Sequence, residues 1–267
     1  MATQETIRDV PPDQVDALVS RYKQLGANVQ TFPQTNGLVT VVAVFQGAAH
    51  STPFATESVA EILEPVPDAH MAATVEFSKS TAFSDLAAEY LELFNACQIR
   101  PSKGKEVEAR VEHLIANEPR YRALGMTLQI PWYFIGIVHS MEANFSFTSH
   151  VHNGDPLDAR TIQEPKGRPI AGNPPFSWEQ SATDAFTLKK LVALSKWDTA
   201  ESLYRLEAYN GFGYRSRGIA TPYLWSYSQH YIKGKFVADH KFDANAVSKQ
   251  AGAAVLLKAL QAKAMTM

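Results

Sequence analysis

One stretch constrains this chain more than any other: Ile130 to Thr161, IPWYFIGIVHSMEANFSFTSHVHNGDPLDART. An apolar segment of helix length ends in a single acid, Glu142. Polar, turn-rich sequence carrying Asp155 and Thr161 follows at once. Pro131 suits the first position of a helix. Helical spacing then predicts Trp132, Ile135, Val138 and His139 on one face, with Glu142 one turn beyond His139. Near a helix C-terminus the partial negative charge of the dipole opposes ionisation of a carboxyl group. Desolvation by Phe145, Phe147 and Val138 acts in the same direction. Glu142 is thus expected to hold its proton near neutral pH, as a general acid must. Such an acid with a second carboxylate close by is the pair used to cleave glycosidic bonds.

These residues carry a family resemblance. A Glu ending a helix, an Asp in a small β-lobe and a Thr six residues after the Asp resembles the pattern of bacteriophage lysozymes. Here those positions are Glu142, Asp155 and Thr161. The interval from Glu to Asp is several residues longer than in those enzymes, which makes Asp158 a competitor of Asp155. The segment EAYNGFGYRSRG, Glu207 to Gly218, is similar to the Tyr-Asn-Gly segment lining the cleft of goose-type lysozymes and lytic transglycosylases. The resemblance covers roughly Ala82 to Leu260. It implies a mainly helical lysozyme-like domain with a β-lobe and a peptidoglycan-cleaving glycosidase without a cofactor or metal. Glu142 would protonate the leaving oxygen, Asp155 would assist from the opposite side of the sugar, and Thr161 would hold the water.

Sugar-binding clefts combine flat apolar faces with polar donors. Tyr209, Asn210 and Tyr214 in one Gly-rich segment, with Trp225 in another, meet that description, and His139 and Arg160 complete the expected substrate contacts. Aromatics at this density also suit a core, because each buries a large apolar area. Arg160 and Arg168 suit either a stem-peptide carboxylate or solvent. A rival reading takes His139, Glu142, His150 and His152 as ligands of a zinc amidase or peptidase, although their spacing fits no defensible zinc motif. A rival from another class is a non-catalytic wall-binding or phage structural protein. No phosphate-binding Gly loop, Ser-His-Asp constellation or dinucleotide fingerprint is visible.

A net charge of −2 over 267 residues gives no electrostatic case for nucleic acid or a lipid surface. The lone cysteine, Cys97, excludes an intrachain disulfide and reads as a small buried hydrophobe. No apolar run approaches the ~18 residues of a membrane span. The polar start MATQETIRDV is unlike a secretory signal. The expectation is therefore cytoplasmic synthesis, with action on peptidoglycan glycan strands after release or delivery.

The expected fold class is α+β. Residues 1–46 read as a βαββ module: a strand Glu5–Val10, a helix opened by Pro11-Pro12-Asp13 and ended by Gly26, and a hairpin of Asn28–Phe32 with Leu38–Phe45 turning at Gln34–Gly37. Residues 47–81, with Pro53, Pro65 and Pro67, read as a connector. Residues 82–267 read as the lysozyme-like catalytic domain, with helices predicted at Phe83–Cys97, Lys105–Asn117, Pro131–Met141, Ser177–Leu194, Asp198–Ala208 and Asp243–Ala264. Ser177 and Gln180 have the spacing of a capping box. Between Asn144 and Phe176 no helical periodicity appears. The alternation of Phe145 and Phe147 with Thr161-Ile162 suggests a hairpin lobe there.

Overall fold

The computed structural model describes residues 3–10, 12–24, 27–33, 39–45, 77–238 and 241–264. The chain is α+β and divides into two compact units, Met1–Leu63 and Glu64–Met267. In the first, the order is β1 (Thr3–Val10), α1 (Pro12–Gln24), β2 (Ala27–Pro33) and β3 (Val39–Phe45). β3, the most β-branched segment, lies between the other two and is antiparallel to both. β1 and β2 therefore run parallel, joined through α1, as a split βαβ arrangement. Val41 at the middle of β3 is fully buried, as a central strand under a helix requires. The expected turn at Gln34–Gly37, Gly26 and most of the connector lie outside the described residues.

The second unit is mainly helical: α2 (Phe83–Ala96), α3 (Gly104–Ala116), α4 (Glu118–Leu128), α5 (Trp132–Ala143), α6 (Trp178–Leu188), α7 (Thr199–Asn210), the single turn α8 (Pro222–Trp225) and α9 (Ala253–Ala264). A short hairpin, β4 (Lys235–Ala238) with β5 (Lys241–Asp243), precedes α9. α5 is the hub and packs on α3, α4, α7 and α9. It is not the one-sided helix that the spacing suggests, because every residue from Phe134 to Ser140 is buried. A helix that is apolar all round belongs inside a bundle. Gly136 is needed for this approach: a Cβ there would lie 2.7 Å from Leu114 Cδ2.

Several boundaries follow local chemistry. The expected capping box forms, with the Gln180 N–H donating to Ser177 Oγ and the Ser177 N–H to the Gln180 side chain. Asp198 caps α7 through the Glu201 N–H. α6 ends at Leu188, short of the expected Leu194, and Lys190 and Ala193 adopt left-handed backbone just beyond it. The expected helix from Asp243 is shortened to begin at Ala253. Asp243 instead turns the chain by accepting the N–H groups of Asn245 and Ala246, and Gly252 abuts the Leu224 carbonyl. α4 has no counterpart in the sequence reading, although Pro119 in its first turn and buried Tyr121, Leu124 and Leu128 are helix signals.

The expected β-lobe between Asn144 and Phe176 does not form. Its one bridge joins Ser149 to Pro156, and the segment is otherwise irregular. Side chains hold it together instead of a strand ladder. His150 Nδ1 meets Ser181 Oγ at 2.9 Å, and His150 Nε2 meets the Ala159 carbonyl at 2.8 Å. His152 and Arg168 converge on the Asp184 carboxylate, each at 2.8 Å. In the described residues no helix is long and apolar enough to cross a membrane.

Candidate functional site

Glu142 occupies the last turn of α5, which closes at Asn144 in left-handed backbone. The residue as a whole is half-buried, but its carboxyl is withdrawn from solvent, and Tyr223 Oη donates to Oε1 at 2.8 Å. Burial raises its pKa from 4.5 to about 7, opposed by the Tyr223 hydrogen bond and by the charge of Lys189. The direction matches the sequence argument, but the neighbours differ. Phe145 stacks on His113, and Phe147 packs on His139 and Trp178. The groups that act on Glu142 come from α6, α7 and α8. Lys189 follows α6, and burial lowers its pKa against the opposing pull of Glu142. Tyr209 and Tyr223 are held neutral first by burial and then by the Glu142 charge.

A cleft of about 350 Å³, within the range of small-ligand sites, opens near the end of α5; Glu142 does not line it, but two of its neighbours do. Met141, next to Glu142, and Tyr223, its hydrogen-bond partner, both line it. So do Asn210 at the end of α7, Gly211, Gly213 and Tyr214 after it, and Lys235 and Phe236 on β4. The Tyr-Asn-Gly segment thus borders the cleft at the C-terminal end of α7. Gly211, with φ 96°, makes the turn that a side chain would strain. Tyr214 Oη accepts the Phe236 N–H at 3.0 Å, which fastens the hairpin to this wall.

The remaining expected residues have other surroundings. The Asp155 carboxylate accepts the N–H groups of Ile162 at 2.7 Å and Gln163 at 3.0 Å, plus the side-chain amides of Asn153 and Gln163. Those bonds outweigh burial and hold its pKa below the ordinary value. Thr161 Oγ1 donates to the Pro165 carbonyl and accepts the Arg168 N–H. Both side chains staple the loop to itself. Asp158 is exposed.

His139 is fully buried, between Tyr121 Oη and the Ser146 carbonyl, and burial lowers its pKa to about 4. Arg160 donates to the Gly172 carbonyl and lies over Phe176. Trp225 is a core residue at 2% exposure, so it offers no face to a ligand. Tyr209 is also buried, with its hydroxyl on the Val151 carbonyl, but it stands behind Glu142 and shapes its electrostatics. Of the expected contacts, the structure places Asn210 and Tyr214 on the cleft, while Tyr209, His139, Arg160 and Trp225 do not line it.

The zinc constellation does not assemble. The ring nitrogens of His139 and His150, and Nε2 of His152, are each committed to a different partner. Among the described residues no group of three His, Cys, Asp or Glu is placed to hold a metal. The structure does contain a chain of Asp184, His152 and Ser181 that the sequence reading missed. Its bonds measure 2.8 Å from Asp184 to Nε2 and 3.4 Å from Nδ1 to Ser181 Oγ. Ser181 has no accessible surface, and its hydroxyl accepts the Val151 N–H. A nucleophile must reach substrate, so this chain is a bracket between loop and helix. Cys97 is buried as expected, with its thiol pushed up to about 11 by desolvation.

Comparisons with protein-family models, curated proteins and solved structures return no match. The functional reading therefore stands on the Glu142 site itself.

Proposed function

We propose that this protein is a lysozyme-like glycosidase that cleaves the β-1,4 bond between amino sugars of peptidoglycan, with Glu142 as general acid. The observation that carries this reading is a shielded carboxyl with its pKa raised to about 7, hydrogen-bonded at 2.8 Å to Tyr223, which lines the adjoining cleft. A carboxylic acid protonated near neutral pH can donate to a glycosidic oxygen, and the resulting carboxylate can accept a proton afterwards. The helical unit built around α5 and the Tyr-Asn-Gly wall support the same assignment through the family resemblance.

The second carboxylate expected on the loop is engaged by four donors, so Asp155 is poorly suited to the chemistry. A substrate that carries a 2-acetamido group supplies its own alternative. In this scheme Glu142 protonates the leaving oxygen while the acetamido carbonyl oxygen attacks C1, forming an oxazolinium ion and breaking the glycosidic bond. Glu142, now ionised, takes the proton of the incoming hydroxyl as that oxygen bonds to C1 and the oxazolinium ring reopens. Tyr223 orients the carboxyl and tunes its proton affinity.

Mass spectrometry of muropeptides released from purified peptidoglycan tests the assignment. New saccharide ends with wild type and none with Glu142→Gln are expected. Release of free stem peptides with intact glycan would replace this reading by an amidase. Binding without any cleavage would replace it by a wall-binding role.

A further inference from the structure

The described residues that line the cleft include one charged side chain, Lys235, and no acid. Lys235 is half-buried at the start of β4. Its cross-strand neighbour is Asp243, but that carboxylate turns away to accept the N–H groups of Asn245 and Ala246. Among the described residues Lys235 has no ion-pair partner within 4.0 Å. A half-buried cation with no counter-charge on a cleft wall is available to an anionic group that a ligand brings.

The placement of Lys235 is firm. The next residue, Phe236, gives its N–H to Tyr214 Oη and packs edge-on against Tyr214 and Phe242. Arg217 lies over the Phe242 ring, 4.3 Å from its centroid. The Gly234 N–H is bonded to the Ala246 carbonyl at 2.8 Å. The backbone on both sides of Lys235 is thus fixed, and only its side chain is free to adjust to a ligand.

We propose that Lys235 is a specificity residue that binds a carboxylate carried by the glycan substrate next to the bond cleaved at Glu142. This inference rests on the glycosidase reading and narrows it, because it selects acidic amino-sugar polymers over neutral ones such as chitin. Peptidoglycan offers two carboxylate sources, the lactyl group of the muramyl sugar and the stem peptide. A charge-assisted bond to either has the same chemistry.

Isothermal titration calorimetry of the full chain in the non-cleaving Glu142→Gln background tests it with three tetrasaccharides. One bears stem peptides, one has them removed to free the lactyl carboxylates, and one is neutral chitotetraose. Adding Lys235→Gln should weaken binding of one or both acidic ligands by about tenfold at low salt. The loss should shrink as salt rises and leave chitotetraose unchanged. Lys235→Arg should restore most of the affinity. A loss confined to the peptide-bearing ligand assigns the stem carboxylate, and a loss with the peptide-free ligand assigns the lactyl group. Affinities within twofold of the parent for both acidic ligands, an equal loss on chitotetraose, or no binding of any ligand would overturn the proposal. Cleavage by the Lys235-bearing wild type is scored separately. Lys235-dependent binding without cleavage removes the glycosidase reading alone, and cleavage without Lys235 dependence removes this inference alone.

Discussion

Tyr223 Oη donates a hydrogen bond to Glu142 Oε1 at 2.8 Å, and both groups are shielded enough that neither ionises at its ordinary pH. This bond favours the carboxylate, as does the Lys189 charge, while burial favours the acid and prevails. The site is therefore a balance between groups from α5, α6 and α8, and each contributor can be removed in turn.

Glu142→Gln preserves shape and can still accept from Tyr223, but it carries no proton for a leaving group. Turnover should fall by at least about 10²-fold, the lower value typical of general acid catalysis. Muropeptide release by a Gln variant at more than about a tenth of the wild-type rate would remove Glu142 from the mechanism.

The same variant should be more stable than wild type at alkaline pH. The folded protein holds the Glu142 proton up to about pH 7, against an ordinary value of 4.5. Between these values the native state binds more protons than the unfolded chain, so wild-type stability falls as pH rises through that window. Above it, the full penalty is about 3 kcal/mol. Urea midpoints should show Glu142→Gln ahead at pH 8 and level with wild type near pH 4. Equal midpoints at both would mean that the carboxyl is not desolvated.

Rate–pH profiles should expose the two tuning groups. Activity that needs protonated Glu142 declines as pH rises through about 7. Tyr223→Phe and Lys189→Gln each remove an influence that lowers the Glu142 pKa, so each should move this alkaline limb upward. A Tyr223→Phe limb displaced downward, or one that does not move, would contradict the role given to its hydroxyl.

How much of this was readable from the chain follows from distance along it. The starts of α2 and α7 and the Ser177 cap depend on neighbours within a turn or two, and local pattern reports them, whereas the raised pKa of Glu142 agrees with the sequence argument in direction but arises from tertiary burial. Tyr223, Tyr209 and Lys189 reach Glu142 only through the packing of α6, α7 and α8, which no local pattern encodes. The same is true of the loop after Asn144. Its Phe and Thr residues imitate strand alternation, yet a carboxylate, a hydroxyl and two imidazoles satisfy its polar groups one at a time. Trp225 looks like a ligand platform between Gly and Pro residues, but it is a core residue in a turn that packs on α9, where Gly252 lets the backbone approach Leu224.

Asp155→Asn should be a stability variant first. An amide places a donor group against N–H donors and cannot keep all four incoming bonds. A loss of about 2 kcal/mol is expected, against less than about 0.5 kcal/mol for exposed Asp158→Asn. The folded Asp155 pKa is lowered, so its contribution is present above the ordinary value of 3.8 and is lost as pH falls below it. A variant with the wild-type urea midpoint and no turnover would return Asp155 to the catalytic machinery.

Arg215 anchors the cleft wall from behind. It follows Tyr214 in sequence, and its guanidinium, in a residue 4% exposed, bonds Glu89 at 2.8 Å and Glu207 at 2.7 Å. Glu207 is 2% exposed and also accepts from Tyr90 Oη at 2.6 Å. Arg215→Met keeps much of the volume but leaves Glu207 buried without its counter-charge. Breaking a buried pair from one side costs about 3–5 kcal/mol. Burial already raises the Glu207 pKa while Arg215 restrains it, so the variant should raise it further. The deficit in the urea midpoint should then shrink as pH falls and Glu207 takes up a proton. Adding Glu207→Gln should recover part of the loss at neutral pH, because a neutral amide needs no cation. A deficit that stays constant with pH and is not relieved by Glu207→Gln would mean that Arg215 acts by packing over the Tyr90 ring and not by charge.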